Sequence, residues 1–242
     1  MPHKHHFVVL HNTSRKMKMK FTKLLSVASL GVLSLALLAC SSGPKIMSQP
    51  MPQSGFLPNY ALLELMPDTP SDTRVWRYRN QSVNPSIYKA VIIDPVALNQ
   101  APTQNISAES LIQAKIALQD SMVQAVLAKG GIQIVTQPGP GVARISVGIT
   151  GAESSADGLK PWNFTPIGLA ANAAAYAGGL NAKTPALVVE NKITDSVSKQ
   201  LLGEGLITVE GESFRTASGS VESFVDMAKK VVAASLKISA QQ

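Results

Sequence analysis

Six short runs of the chain carry β-forming residues and only two carry apolar residues at helical spacing. That ratio limits the folds open to it, because a doubly wound parallel sheet needs a helix between every successive pair of strands. The strand-like runs are 73–79 (TRVWRYR), 88–94, 132–136, 142–149, 186–193 and 204–210, and the helical ones are 107–129 and 219–238. The order β-β-α-β-β-β-β-α predicts an α/β (α+β) fold, a mixed, mainly antiparallel sheet with helices packed on it. Period-two alternation puts Val75, Arg77 and Arg79 on one face of the first strand, and Arg74, Trp76 and Tyr78 on the other. Ser107 is placed to cap the first helix, with Ile112, Ile116, Val123, Val126 and Leu127 along its apolar spacing and Gly130-Gly131 as its stop. The runs 132–136 and 142–149 flank Pro138-Gly139-Pro140-Gly141 and read as a hairpin. A polar turn from Asp195 to Lys199 joins the last two strands. The closing helix aligns Val221, Phe224, Val225, Ala228, Val231, Val232 and Leu236. Trp76, Tyr78, Trp162 and Phe164 read as packing residues.

The N-terminus carries a different signal. Residues 24–39 hold no charge, and Lys16, Lys18, Lys20 and Lys23 precede them. A basic segment followed by a short apolar run is the layout of a secretory signal. At 16 residues the run is shorter than the roughly 20 that span a bilayer as a helix. It ends in Leu37-Leu38-Ala39-Cys40, and Cys40 is the only cysteine in the chain. The tetrapeptide resembles the lipobox of bacterial lipoproteins. That resemblance implies cleavage between Ala39 and Cys40, with acyl chains attached to the new N-terminal cysteine. Ser41 after the cysteine implies the outer membrane, with the domain facing the periplasm. Residues 1–39 are thus expected to be a leader and signal peptide, whose true start is Met17 or Met19. Residues 40–55 are expected to be a lipid anchor and flexible tether, rich in Ser, Pro and Gly, and 56–242 a single domain.

Removing the leader changes the composition. The formal net charge of the whole chain is +7, but six of the 22 basic residues and none of the 15 acids precede Cys40. The remainder carries 16 basic and 15 acidic residues, a net charge of +1, and nucleic-acid binding loses its electrostatic basis. All four histidines (His3, His5, His6 and His11) lie in the leader as well. The mature chain therefore offers no Ser-His-Asp or Cys-His machinery and no zinc site with nitrogen or sulfur ligands. No metal and no cofactor are expected. The expected partners are the membrane, through lipid on Cys40, and an envelope protein.

SGFLPNYALL (54–63), YKAVIIDPV (88–96), QPGPGVARISVGIT (137–150) and ALVVENKITDS (186–196) occur in that order. Together they resemble the domain-of-unknown-function family 3313, uncharacterised bacterial lipoproteins, over nearly the whole mature chain. The resemblance implies no activity.

Few constellations carry chemistry. Ser196-Val197-Ser198-Lys199 matches the Ser-x-x-Lys of serine acyl-enzymes, but it sits in a turn and lacks the companion motifs. Asp94, Glu190 and Asp195 are the candidate acid/base carboxylates, since paired carboxylates cleave glycosidic bonds at separations of roughly 5–9.5 Å. The competing reading pairs them with Arg74, Arg77, Arg79 or Arg144, or has them cap a loop. The Gly/Ala segment 166–182 suits close backbone approach to a partner or the membrane surface, against the plainer reading of a mobile loop or poorly ordered helix. Three readings follow: a non-catalytic binding or assembly/transport accessory, a carboxylate-dependent hydrolase of envelope polymers using Asp94 with Glu190 or Asp195, and a structural spacer.

Overall fold

The computed structural model of the chain describes Met47 and residues 51–99, 106–156 and 181–240, with backbone alone for the last three. Among the described residues eight strands form one sheet: β1 (Glu64–Leu65), β2 (Thr73–Arg79), β3 (Ala90–Ile93), β4 (Ala97–Leu98), β5 (Gln133–Ile134), β6 (Val142–Ala156), β7 (Lys183–Asp195) and β8 (Leu201–Glu210). Among the described residues two long helices accompany them, α1 (Ala108–Lys129) and α2 (Ala217–Ala240). The strand order is β1-β2-β8-β7-β6-β3-β5, with β4 paired to β6 beyond the end of β3. Every pairing from β1 to β6 is antiparallel, and β3, β4 and β5 join in parallel. The mixed, mainly antiparallel sheet with packed helices agrees with the sequence expectation.

Local chemistry sets the helix ends. Ser107 Oγ accepts from the Ser110 N–H at 3.1 Å, and the chain leaves α1 through Gly130 at φ +66°. Which face of α1 is buried differs from the expectation. Leu111, Ala114 and Leu118 form the buried stripe, while Ile112, Ile116 and Leu127 are exposed. The helix carries apolar residues on two stripes, so spacing alone does not choose between them. Packing against α2 chooses: Leu111 shares a core with Phe224, Ala228 and Val231, and the Ser110 and Ser220 hydroxyls meet at 3.0 Å. Leu236, near the end of α2, is also exposed rather than packed.

A second correction concerns 132–136 and 142–149, which do not form a hairpin. β5 and β6 each pair in parallel with β3, which lies between them. Alternation marks a segment as a strand but does not name its partner. The apolar run Ala90–Ile93 takes the place the turn signal had given to a neighbour in sequence.

The loop from β5 to β6 crosses the start of β3, and Gly141 carries the constraint there. It has φ +70°, and a Cβ on it would lie 2.8 Å from the Ile87 carbonyl oxygen. Gly141 O also accepts the Lys89 N–H at 3.0 Å. Gly141→Ala adds a left-handed penalty of about 1–2 kcal/mol to a backbone clash. Its melting temperature is expected to fall by at least about 4 °C, at 2–4 °C per kcal/mol for a domain of this size. Gly139→Ala, whose Cβ meets only Val142 Cγ2 at 3.7 Å, is expected to leave the melt nearly unchanged. Equal melts for the two variants would refute this account of the crossing.

The sheet has two covered faces. Val75, Val147, Ile149, Leu187, Val189, Ile207 and Val209 meet both helices. The opposite face buries Trp76, Val188 and Leu206 under Leu57, with Met51, Phe56, Tyr60 and Leu63 packed alongside. Val75 and Trp76, neighbours in sequence, thus enter different cores, as the alternation predicts.

Candidate functional site

Residues 51–63 form a strap across the sheet face opposite the helices. Gly148 of β6 makes room for it: a Cβ there would lie 2.9 Å from the Phe56 ring. Asn59 caps a single 3-10 turn, 60–62, which holds Tyr60 in place. The Tyr60 hydroxyl donates to Glu190 Oε2 at 2.5 Å. It also accepts from the backbone N–H groups of Gly55 (2.8 Å) and Ser54 (3.0 Å). Glu190 has no exposed surface, and its other oxygen accepts from Thr150 Oγ1 at 2.8 Å. One tyrosine hydroxyl therefore satisfies the start of the strap and a buried carboxylate together.

Beside this latch lies a second buried acid that sequence reasoning missed. Glu204 is 2% exposed, and neither carboxylate oxygen has a well-formed hydrogen bond. It faces Lys192 across the β7–β8 ladder. Lys192 Nζ itself donates to Phe56 O at 3.3 Å and lies 4.9 Å from the Phe56 ring centre. Burial pushes the Glu204 carboxyl up, against a weaker downward pull from the Asn59 backbone N–H and the Lys192 charge. No motif marked Glu204. Its only signal is its parity with Leu206 and Thr208 in an alternating strand.

The three sequence-predicted carboxylates are not gathered into one site. Asp94 accepts from Ser146 Oγ at 2.7 Å and pairs with Arg144 Nε at 3.1 Å, a half-exposed ion pair. Glu190 is held by hydroxyls, not by an arginine. Asp195 closes the β7–β8 turn, accepting from the Val197 and Ser198 N–H groups at 2.9 and 2.7 Å. The Ser198 N–H above all holds its carboxyl below the usual range, and Tyr88 Oη donates to its other oxygen at 3.1 Å. Ser196 and Lys199 are likewise structural in their contacts. Ser196 Oγ donates to Gly139 O and accepts from Gly139 N, both at 3.1 Å, and ties two turns together. Lys199 Nζ donates to the Ser196 carbonyl instead of approaching its hydroxyl. Ala39, Cys40, Trp162, Phe164 and nearly all of 166–182 lie outside the described residues. Among the described residues no three His, Cys, Asp or Glu side chains assemble as metal ligands.

Besides a polar hollow of about 510 Å³ at the β3–β5 edge, lined by Lys89, Gln133 and Gly141, two cavities lie on the helix side of the sheet. One of about 310 Å³ opens between the C-terminal halves of α1 and α2, walled by Met122, Val126, Ile145, Val189, Val231 and Leu236. A second, of about 330 Å³, continues over β8 and β2 beneath the 80–88 loop. The two share Val91, Lys129, Ile132, Asn191, Ile193 and Ser235, so they form one groove. Gly203 and Gly205 leave its floor bare, because they stand directly between Arg79 and Ile193 and between Arg77 and Asn191 in the ladder.

Known proteins resemble this chain. The family described as "Protein of unknown function (DUF3313)" matches residues 52–234. "Uncharacterized lipoprotein YdcL" of Escherichia coli (strain K12) is 26% identical over 204 residues, covering 83% of this chain and 88% of that protein. Among solved structures, a putative neuraminyllactose-binding hemagglutinin homolog from Helicobacter pylori aligns at TM-score 0.40 and 10% identity, over 66% of this chain and 86% of that one. Lipoprotein GNA1162 from Neisseria meningitidis aligns at TM-score 0.34 and 11% identity, over 63% and 99% respectively.

Proposed function

The chain belongs to the DUF3313 family of proteins of unknown function, and on that premise we propose that it is a lipid-anchored envelope lipoprotein acting as a non-catalytic binding or assembly/transport accessory. The observation that carries the reading is the position of Cys40, the only cysteine, directly after the uncharged run of 24–39. The name of the Escherichia coli relative, a lipoprotein, supports the same class. Two or three acyl chains on one cysteine hold a protein at a bilayer stably, at roughly 0.8 kcal/mol per buried methylene. Ser41 favours the outer membrane, with the domain on the periplasmic side.

The strap gives this anchor a mechanical seat. From residue 51 the chain is packed onto the sheet and latched by Tyr60 to Glu190. Tension from the bilayer therefore meets a buried hydrogen bond and an apolar cluster, rather than an edge strand. The hydrolase alternative needs two carboxylates facing an open cleft. Glu190 is sealed under the strap, Asp94 is engaged by Ser146 and Arg144, and Asp195 is engaged by its own turn. The groove on the helix face remains as the surface for a partner or ligand.

Metabolic labelling with an alkyne fatty acid is expected to mark the parent protein. Cys40→Ala is expected to lose the label and remain as unprocessed precursor, and fractionation is expected to place the parent in the outer membrane. Equal labelling of parent and variant would overturn the anchored reading.

A further inference from the structure

The groove changes character along its length. Between α1 and α2 its walls are hydrocarbon, from Met122, Val126, Val189 and Val231. Its other end is lined by Arg77 and Arg79, which share one face of β2 two residues apart. Arg77 Nη1 is buried with no hydrogen-bond partner. Glu64 is the cross-strand neighbour of Arg77 on β1, yet it is exposed and forms no ion pair with it. Glu204, the acid whose backbone lines this end, has the parity of Leu206 and sends its side chain to the opposite face. Asp195, close by, is occupied by Tyr88 and its own turn. Burial, and then repulsion from Arg79, push the Arg77 guanidinium below the ordinary arginine value.

Among the described residues no acid is ion-paired with Arg77 or Arg79 at the head of this apolar trough, and Lys129 adds a third cation where its two parts join. A buried polar donor without a partner is costly, and an arginine fork suits a carboxylate or phosphate in two-pronged geometry. The glycines at 203 and 205 keep side chains out of the space between the arginines and Asn191. A volume of about 310 Å³ for the apolar part is at the lower end of ligand cavities, which run from roughly 300 to 1,000 Å³, and suits one chain rather than a two-chain lipid.

We propose that this groove binds an anionic single-chain amphiphile, its alkyl chain lying between α1 and α2 and its carboxylate or phosphate head held by Arg77 and Arg79. The proposal rests on the reading of the domain as a binding accessory and gives that accessory its ligand class. The charged head sets orientation, and the alkyl chain supplies the apolar burial.

The test uses the full chain, purified from cells and placed in phosphatidylcholine nanodiscs, with photoactivatable dodecanoate and dodecyl phosphate as probes and the matching dodecanol as neutral control. Adducts are expected on peptides spanning 122–132 and 231–236, with the acid probes labelling at least tenfold more than dodecanol. The stronger of the two acids identifies the head group. Arg77→Gln/Arg79→Gln is expected to lose the acid preference at least tenfold, the loss of one charge-assisted contact or more, while dodecanol labelling stays the same. Val126→Trp, at a half-buried wall position, is expected to block all three probes without unfolding the domain, which a circular dichroism melt checks. Adducts elsewhere, equal labelling by acids and dodecanol, or an unchanged acid preference in the arginine variant overturns the proposal. So does concentration-dependent dimerisation that buries the groove, in which case a second copy is its occupant. None of these results touches Cys40, so the ligand class can fail while the anchored reading stands.

Discussion

Tyr60→Phe is expected to lower the melting temperature by about 5–10 °C and to open the segment 51–63 to proteases. The hydroxyl that it removes has two tasks. It donates to a carboxylate with no exposed surface, and it accepts from the backbone N–H groups of Ser54 and Gly55. Hydrogen bonds to charged groups contribute roughly 1.5–3 kcal/mol each, and a buried acceptor left unpaired costs about as much. At 2–4 °C per kcal/mol the fall follows. After the change Glu190 keeps only Thr150, and water cannot reach it while the strap stays closed. The cheapest relief is to lift the strap, which exposes Leu57 and Phe56 and gives proteases their substrate. Glu190→Gln in the Tyr60→Phe background is expected to recover part of the loss, because a neutral amide tolerates the missing donor better than a carboxylate does. A double-mutant cycle over the two positions should therefore show coupling of about 1 kcal/mol or more. Additive losses, or a Tyr60→Phe variant that melts and resists cleavage like the parent, would show that the latch holds nothing.

That latch also marks where the sequence stops being readable. The fold class came from the ratio of strands to helices and from turn residues, which are local signals, and it agrees with the structure. Ser107 and Gly130 fixed both ends of α1 for the same reason. Tyr60 and Glu190 are 130 residues apart, and no periodicity joins them. Glu190 stands out in the sequence as a charge inside an apolar strand, so the residue was legible while its partner was not. The hairpin expected across Pro138–Gly141 failed likewise, because β3 is brought in from 40 residues upstream to lie between the two strands. The groove was hidden for a third reason. Gly203 lies just outside the strand expected at 204–210 and Gly205 inside it, and only the ladder register shows that they stand opposite Arg79 and Arg77.

Glu204→Gln is expected to stabilise the domain at neutral pH and to make no difference in acid. The carboxyl is 2% exposed and lacks well-formed hydrogen bonds, and burial raises its proton affinity above the ordinary value of 4.5. Lys192 opposes that shift and Glu190 adds to it. The sign is fixed by linkage. A group that binds its proton more tightly in the folded chain contributes its full stability below its unfolded value, and loses it as pH rises through the raised folded value. Relative to the Glu204→Gln variant, whose side chain mimics the protonated form, the parent should thus lose stability on going from pH 4 to pH 7. A buried polar group without partners costs roughly 1–3 kcal/mol, so the variant should melt several degrees above the parent at pH 7, with the gap closing near pH 4. Lys192→Met should act in the opposite sense. It removes the cation that lowers Glu204 as well as the contact to Phe56, so it should destabilise the parent at pH 7 by more than it destabilises the Glu204→Gln background. A gap between parent and Glu204→Gln that is constant with pH, or that widens in acid, would mean that Glu204 is solvated through some opening of the strap. The strap would then be a moving element rather than a fixed cover on the sheet.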